Sequence, residues 1–170
     1  MHRREAKPPE AVPASEAMKK TAHRHAVRVY FEDTDAGGVA YHATYLRWAE
    51  RARTESLRSM HLPHALLMER YNAMLVVRRI EVAYVRPARL DESLIVETRV
   101  RAMGAATLDL DQLVLREADG AELARLAVGL VCVRATSAGS AGAADELRPA
   151  RIPEPWRSAL AELMSGGAAA

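Results

Sequence analysis

The sequence predicts an α+β domain in which one long helix packs against an antiparallel sheet. A single strand pattern, near Val27 to Phe31, precedes a helical pattern that ends near Met60. Four strand-like segments then follow one another without a helix between them: 74–85, 94–101, 107–116 and 123–134. Because strands that alternate with helices would indicate a parallel sheet, this grouping favours an α+β fold with an antiparallel meander.

The first strand leads into an acidic turn that contains two glycines. Residues 27–32 alternate between apolar and polar side chains, which is the period of a half-buried strand. The acidic segment 33–35 follows, and aspartate favours turns because its short side chain hydrogen-bonds nearby backbone groups. Gly37 and Gly38 come next, and glycine permits positive φ and a close approach of a ligand to the backbone. The segment therefore predicts a tight turn that presents a carboxylate.

The helical pattern begins directly after this turn. We expect its start near His42 to Thr44, with Thr44 as the N-cap. The first N–H groups of a helix have no intrahelical acceptor and carry partial positive charge, so they can hold an oxygen that gains negative charge. A strand, an acid, two glycines and a helix start in this order aim a carboxylate and backbone N–H groups at one spot. We therefore expect an active site here.

Two of the later strands carry distinctive patterns. Segment 107–116 changes the parity of its apolar residues after Leu110, which predicts a β-bulge near residues 111–112. Segment 123–134 is apolar on both parities, as expected of a central strand that is covered on both faces.

Charged and histidine residues near the end of the helix are interpreted as surface features. The segment 50–55 is predicted to be a charged side of the helix or part of a contact between subunits. His61 and His64 flank Pro63, which ends the helix. We expect solvated histidines at a helix end rather than metal ligands.

Length and composition exclude several classes of protein. The chain has 170 residues, and its 24 Lys plus Arg nearly balance 22 Asp plus Glu, so charge provides no drive toward nucleic acid or membrane surfaces. The single cysteine, Cys132, excludes an internal disulfide and is expected to be a buried thiol. The longest apolar run, 126–133, is too short to span a bilayer, and residues 1–24 lack the apolar core of a signal peptide. We therefore expect a cytoplasmic protein without stable membrane insertion.

The chain divides into three parts by composition. Residues 1–24 are charged and rich in proline and alanine, which predicts a flexible tail. Residues 25–134 contain the patterned strands and helix and form the predicted domain. Residues 135–170 are predicted to contain a linker, a short helix around Trp156 and Leu160, and a flexible end.

Two motifs closely resemble the hotdog-fold acyl-CoA thioesterases, namely YFEDTDAGGVAYH at 30–42 and ERARTE at 50–55. The resemblance is to the 4-hydroxybenzoyl-CoA thioesterase family and, within it, to the Tol–Pal-associated acyl-CoA thioesterases. It continues through the later segments 76–78, 83–84, 87–91 and 131–133, so it covers the predicted domain 25–134. The hotdog fold that it implies is a curved, antiparallel five-stranded sheet wrapped around one long helix.

The resemblance implies hydrolysis of acyl-CoA thioesters to CoA and a free carboxylic acid. Asp35 matches the family's catalytic carboxylate, acting as general base or nucleophile. The backbone N–H near His42 would polarise the thioester carbonyl, and the His42 side chain would orient water or substrate or merely cap the helix. Gly38, Val39 and Tyr41 are expected to contact substrate, with packing in the core as the alternative for Tyr41. Asp33 is expected to cap the turn.

The resemblance also implies partners. Four arginines on and after one strand are candidates for binding the phosphates of CoA, with solvated arginines at a strand edge as the alternative: Arg78, Arg79, Arg86 and Arg89. Arg78 and Arg89 are the two that we assign to substrate binding. We expect an acyl-CoA substrate, with acyl carrier protein as a further carrier, and neither a metal nor a redox cofactor. A homotetramer built as a dimer of dimers is expected, with each active site between two subunits.

Two other functions remain open at this point. One is a non-catalytic module that binds acyl-CoA or acyl carrier protein. The other is a hotdog hydratase or dehydratase, although the spacing between Asp35 and His42 does not resemble that of those enzymes. An α/β-hydrolase triad is disfavoured because the sequence has no Gly-x-Ser-x-Gly elbow.

Overall fold

A computed structural model describes residues 22–136 and 146–164 of the chain. In chain order the elements are β1 (His23–Arg28), a 3-10 helix (Phe31–Asp33), α1 (Thr44–Ser59), α2 (His64–Tyr71), β2 (Ala73–Tyr84), β3 (Ser93–Met103), β4 (Thr107–Arg116), β5 (Glu122–Thr136), β6 (Glu146–Pro149) and α3 (Glu154–Glu162). The N-terminal tail up to residue 21, the linker residues 137–145 and the end from residue 165 lie outside the described residues.

The strands form one antiparallel sheet in the order β1-β3-β4-β5-β2. The short strand β6 pairs with the end of β5, from Val133 opposite Pro149 to Thr136 opposite Glu146. The α+β prediction of an antiparallel sheet around one long helix is confirmed, and β6 adds a sixth strand to the predicted five.

The helix α1 buries one face against the sheet. Its buried residues recur every three or four positions, which places them on a single stripe: Thr44, Tyr45, Trp48, Ala49, Ala52, Ser56 and Leu57. This stripe belongs to one hydrophobic cluster with the inward-facing residues of the strands. The predicted buried thiol, Cys132, lies in the same cluster, and burial raises its pKa.

The first strand is shorter than its sequence pattern indicates. Phe31 was expected to continue the inward-facing side of the strand, but β1 ends at Arg28 and the Phe31 side chain is 82% exposed. The cause is local, because the Asp33 carboxylate accepts a hydrogen bond from the N–H of Tyr30 at 2.9 Å. This bond stabilises the 3-10 turn in competition with strand pairing.

The bulge predicted near residues 111–112 is wrong. The pairing of β3 with β4 continues in register through Asp111 and Gln112, and the irregularity in the pairing of β4 with β5 lies between Val114 and Leu115. Gln112 is fully buried and occupies an inward-facing position between Leu110 and Val114. A polar residue in the core therefore interrupted the apolar alternation without changing the strand.

The C-terminal segment packs onto the domain. The predicted short helix is present as α3, and Trp156 on it is buried. Its indole N–H donates to the carbonyl of Leu62 at 3.0 Å, and its ring makes an edge contact with Tyr71. These contacts attach α3 to the chain on both sides of Pro63.

Candidate active site

Asp33 anchors the loop that joins β1 to α1. Its side chain is buried at 6% exposure and caps the 3-10 turn, as predicted. Its backbone carbonyl accepts the N–H of Tyr41 at 2.8 Å and the hydroxyl of Thr44 at 3.4 Å. The prediction that Thr44 is the N-cap of α1 is wrong, because Thr44 is the first residue of the helix. The N-cap is Ala43, which has no capping side chain.

The tight turn after Asp33 holds the carboxylate of Asp35 at the surface. The N–H of Asp35 donates to the carbonyl of Val39, and the N–H of Gly38 donates to the carbonyl of Asp35, both at 3.0 Å. Gly38 has a φ of 70°, a left-handed conformation that favours glycine. The N–H of Gly37 donates to Oδ1 of Asp35 at 2.7 Å. Asp35 is exposed, and in the described part of the chain Oδ2 has no partner.

An open cleft of about 350 Å³ contains both Asp35 and His42 in its lining. The His42 N–H precedes the helix, and among residues 22–136 and 146–164 no acceptor satisfies it. Val39 and Tyr45 also line the cleft. The loop thus brings Asp35 and His42, which were predicted to lie close together, to one concave surface.

Two tyrosine hydroxyls make hydrogen bonds between the segments that line the cleft. The sequence analysis did not assign either tyrosine to the site. The Tyr84 hydroxyl donates to the carbonyl of His42 at 2.9 Å, and the Tyr45 hydroxyl accepts the N–H of Ala88 at 2.9 Å. Burial raises the pKa of both hydroxyls, so both are neutral at physiological pH. A tyrosine on the buried stripe of a helix needs a partner for its hydroxyl, and that signal was available for Tyr45.

The remaining predicted loop residues lie beside the cleft. Gly38 shapes the turn without lining the cleft, whereas Val39 lines it and pairs with Arg89 across an isolated bridge. The Tyr41 ring is 44% exposed and lies 4.2 Å from the His42 ring, so the alternative of packing in the core is wrong. A contact of Tyr41 with substrate stays a prediction.

The arginines proposed for phosphate binding occupy different positions. Arg78 lies on β2 away from the cleft, with its guanidinium 4.0 Å from the carboxylate of Asp109. Arg89 is exposed next to the turn. Arg86 lines the cleft itself, and its guanidinium donates to the carbonyl of Glu122 at 3.0 Å. Of the three, Arg86 and Arg89 are the cations closest to the carboxylate turn.

Two features are absent from the described ranges, 22–136 and 146–164. No group of three or more His, Cys, Asp or Glu residues there is arranged to hold a metal ion. No helix there is long and apolar enough to cross a membrane.

Comparisons with known proteins agree on the class of fold. Over 116 residues the chain is 45% identical to the acyl-CoA thioester hydrolase YbgC of Escherichia coli O6:H1, which covers 68% of this chain and 85% of the relative. A crystal structure of a probable thioesterase from Bartonella henselae is 31% identical and covers 78% of this chain and 99% of its own, with a TM-score of 0.67. A 1,4-dihydroxy-2-naphthoyl-CoA thioesterase from Synechocystis, 24% identical, covers 82% of this chain and 96% of its own with a TM-score of 0.72, and shows the shared fold.

The match to a family extends over most of the described chain. Residues 29–160 match the thioesterase-like superfamily, from the end of β1 into α3. The matched range includes the carboxylate turn, the start of α1 and every strand after it. The chain belongs to the thioesterase-like superfamily.

Proposed function

We propose that this protein hydrolyses acyl-CoA thioesters to CoA and a free carboxylic acid. The observation that carries the proposal is the shared cleft, which is lined by the Asp35 carboxylate and by His42 with its unsatisfied N–H. The high identity to a protein named acyl-CoA thioester hydrolase supports the same reaction.

The backbone donor serves the carbonyl oxygen of the thioester. When a nucleophile attacks the carbonyl carbon, negative charge develops on that oxygen, and a fixed N–H stabilises it. Removal of one such donor typically lowers the rate by about 10²–10³-fold. His42 directly precedes Ala43, the N-cap of α1. The partial positive charge at the N-terminus of this helix therefore adds to the stabilisation that the His42 N–H gives to the oxyanion. The Tyr84 hydroxyl on the His42 carbonyl restricts the orientation of this segment.

Asp35 serves the carbonyl carbon by one of two routes. As a general base, its carboxylate removes a proton from water, and the resulting hydroxide attacks. The tetrahedral intermediate then collapses, the C–S bond breaks, and the CoA thiolate leaves and takes up the proton. As a nucleophile, the carboxylate oxygen attacks directly and expels the thiolate, and water then hydrolyses the mixed anhydride. The Gly37 N–H holds Oδ1, which leaves Oδ2 for either role.

The CoA moiety requires cations near the mouth of the cleft. We assign the contacts with its phosphates to Arg86 and Arg89, because Arg86 lines the cleft and Arg89 lies beside the turn. Arg78, the other predicted phosphate ligand, would have to act on CoA bound along β2, where it now neighbours Asp109.

Four finer features of the proposal rest on the resemblance of the motifs at 30–42 and 50–55 to those of the Tol–Pal-associated acyl-CoA thioesterases. They are membership of the Tol–Pal-associated subgroup, a cytoplasmic location, a dimer of dimers and the use of acyl carrier protein as a second thioester carrier. The outer edge of β2 ends the sheet, which is compatible with pairing to a second copy.

Release of free thiol from acyl-CoAs tests the reaction, with Asp35→Asn beside the wild type. The substitution removes the base or nucleophile without changing size, and we expect kcat to fall by about 10²–10⁴-fold. Glu32→Gln is the matched control, because Glu32 is an exposed carboxylate in the same loop and loses the same charge. Near-normal turnover of Asp35→Asn, or an equal loss in both variants, would refute the assignment.

The two routes for Asp35 differ in the fate of oxygen. In a single turnover in ¹⁸O-water, the base route places the label in the released acid alone. The nucleophile route places it in the Asp35 carboxylate when water attacks the Asp35 carbonyl carbon of the anhydride, and the acid then leaves with the enzyme's original oxygen. Attack at the acyl carbonyl carbon would put the label in the acid, as the base route does. Label in the peptide that contains Asp35, detected by mass spectrometry, therefore establishes the nucleophile route.

A further inference from the structure

A second cavity lies toward the other end of α1, between that helix, the sheet and α3. Its volume is about 120 Å³, and it shares no lining residue with the Asp35 cleft. Most of its wall is apolar, contributed by side chains from α1, three strands and α3, including Leu57, Leu75, Leu110, Leu130, Leu160 and Leu163. Its size is close to that of an apolar cavity of about 150 Å³ that binds benzene.

One side of this cavity carries a cation that makes no ion pair in the described part of the chain. Arg53 of α1 lines the cavity, and its one hydrogen bond among the described residues goes from Nη1 to Oε1 of Gln112 at 2.8 Å. Burial lowers the pKa of the Arg53 guanidinium. Gln112 is a neutral partner whose side-chain NH₂ is already used, since it donates to the carbonyl of Ala49 and the hydroxyl of Thr98, both at 2.9 Å. The orientation of this amide, and with it the position of Arg53, is therefore fixed.

The neighbours of Arg53 leave it without an ion pair. Glu50 also lines the cavity, and its charge opposes part of the lowering of the Arg53 pKa by burial. Its carboxylate accepts the Thr54 hydroxyl at 2.8 Å and makes no ion pair with the guanidinium in the described part of the chain. His64 of α2 also lines the cavity, and burial lowers its pKa, so its imidazole is neutral at physiological pH. His64 is half-buried at the first residue of α2, and His61 is exposed, as expected of histidines at a helix end. A partly buried guanidinium without a direct ion pair is costly, and a bound carboxylate would lower that cost.

We propose that this cavity is a second binding site, for carboxylic acids with an apolar tail. The carboxylate would pair with the free N–H groups of Arg53 beside the imidazole of His64, and the tail would lie among the leucines. Arginine suits this ligand because its planar donors match the two oxygens of a carboxylate. The acid that the proposed reaction releases belongs to this class. That last link rests on the proposed function, whereas the site itself does not.

Isothermal titration calorimetry of the full chain with straight-chain acids, from butanoate to decanoate, tests the proposal. We expect binding that tightens by about fourfold with each added methylene until the cavity is full. Arg53→Gln should weaken binding by about 10–100-fold. Arg51→Gln is the matched control, since Arg51 is exposed on the same helix and loses the same charge. It should bind as the wild type does.

A second variant keeps the test informative if Arg53→Gln folds poorly. Leu163 lies just after α3 and is half-buried, so Leu163→Trp can fill the cavity from its rim without removing a buried side chain. It should shorten the longest acid that binds. Asp35→Asn should retain full affinity, because its cleft is separate.

Three results would overturn the site. They are equal binding by Arg53→Gln and Arg51→Gln, loss of binding in Asp35→Asn, and absence of heat with every acid. A change of oligomeric mass in Arg53→Gln without acid binding by the wild type would instead mean that a carboxylate of another copy neutralises Arg53. Failure of thioester turnover would leave the binding result untouched, so the two proposals fail separately.

Discussion

Gly37 provides a sharp test of the proposed catalytic turn, because a methyl group there would crowd a single atom, Oδ1 of Asp35. A Cβ built on Gly37 lies 3.0 Å from Oδ1 of Asp35, the oxygen that the Gly37 N–H holds at 2.7 Å. Ordinary van der Waals contact begins about 0.4 Å further out, so Gly37→Ala displaces the carboxylate by a few tenths of an ångström. A misplacement of about 1 Å can lower a rate by about 10²-fold, so we expect kcat to fall by about three- to tenfold.

Gly38→Ala is the matched control, because it adds the same methyl group but strains the backbone instead of crowding Asp35. Its Cβ would meet no heavy atom within 4 Å, but its φ of 70° is strained for alanine. The strain costs about 1–2 kcal/mol, which lowers Tm by about 2–8 °C in a chain of this size. Gly37→Ala, whose backbone is not in that region, should keep its Tm within about 2 °C of the wild type.

Steady-state release of free thiol and thermal unfolding, measured on both variants, separate the two effects. The expected pattern is a rate defect with normal stability for Gly37→Ala and a stability defect for Gly38→Ala. Unchanged kcat in Gly37→Ala would mean that the position of Oδ1 does not limit the rate. The turn would then serve to expose Asp35 and not to orient it.

Three further predictions follow from the contacts of the site and core. Tyr84→Phe removes the hydrogen bond to the His42 carbonyl and should lower kcat/KM by about two- to tenfold, whereas an unchanged value would exclude a positioning role. Gln112→Leu removes the acceptor of the Arg53 guanidinium and the donor to the Ala49 carbonyl and the Thr98 hydroxyl. The free energy of unfolding, measured in urea, should fall by about 1–3 kcal/mol. Burial lowers the pKa of His64, so its contribution to stability is present above the ordinary value of 6.5 and is lost as pH falls below it toward the folded-state pKa. His64→Gln should therefore lose less Tm than the wild type between about pH 7.5 and about pH 5.5, and equal losses would contradict this.

The elements that the sequence predicts well are those with a long, uninterrupted period. The helix α1 repeats its buried residues over four turns, so its stripe is evident from the sequence and its observed bounds, Thr44–Ser59, agree with the prediction. The four later strands also agree with their predicted segments to within a few residues. Periodicity works there because burial on one face decides both the conformation and the choice of side chain.

The predictions fail where one polar side chain replaces the repeated pattern. Phe31 continues the alternation of β1, but the bond from the Tyr30 N–H to Asp33 ends the strand first. Gln112 breaks the alternation of β4, yet the strand continues, because partners from α1 and β3 satisfy its buried amide. The two errors have opposite directions and the same cause. The pattern of apolar residues in a sequence does not show which partner a polar side chain will hydrogen-bond in the folded protein.

The two sites differ in how far along the chain their partners lie, and that difference explains which one the sequence reveals. The turn that presents Asp35 is closed mainly by bonds between residues close in sequence, such as Asp35 with Val39 and Asp33 with Tyr41, so a short motif can encode most of its geometry. Arg53, by contrast, is positioned by Gln112, 59 residues away. Within the motif ERARTE it resembles any other charge on a helical surface. Only the packing of α1 on β4 turns it toward the cavity, so a carboxylate site there has no local signature, and its test must be made on the folded protein.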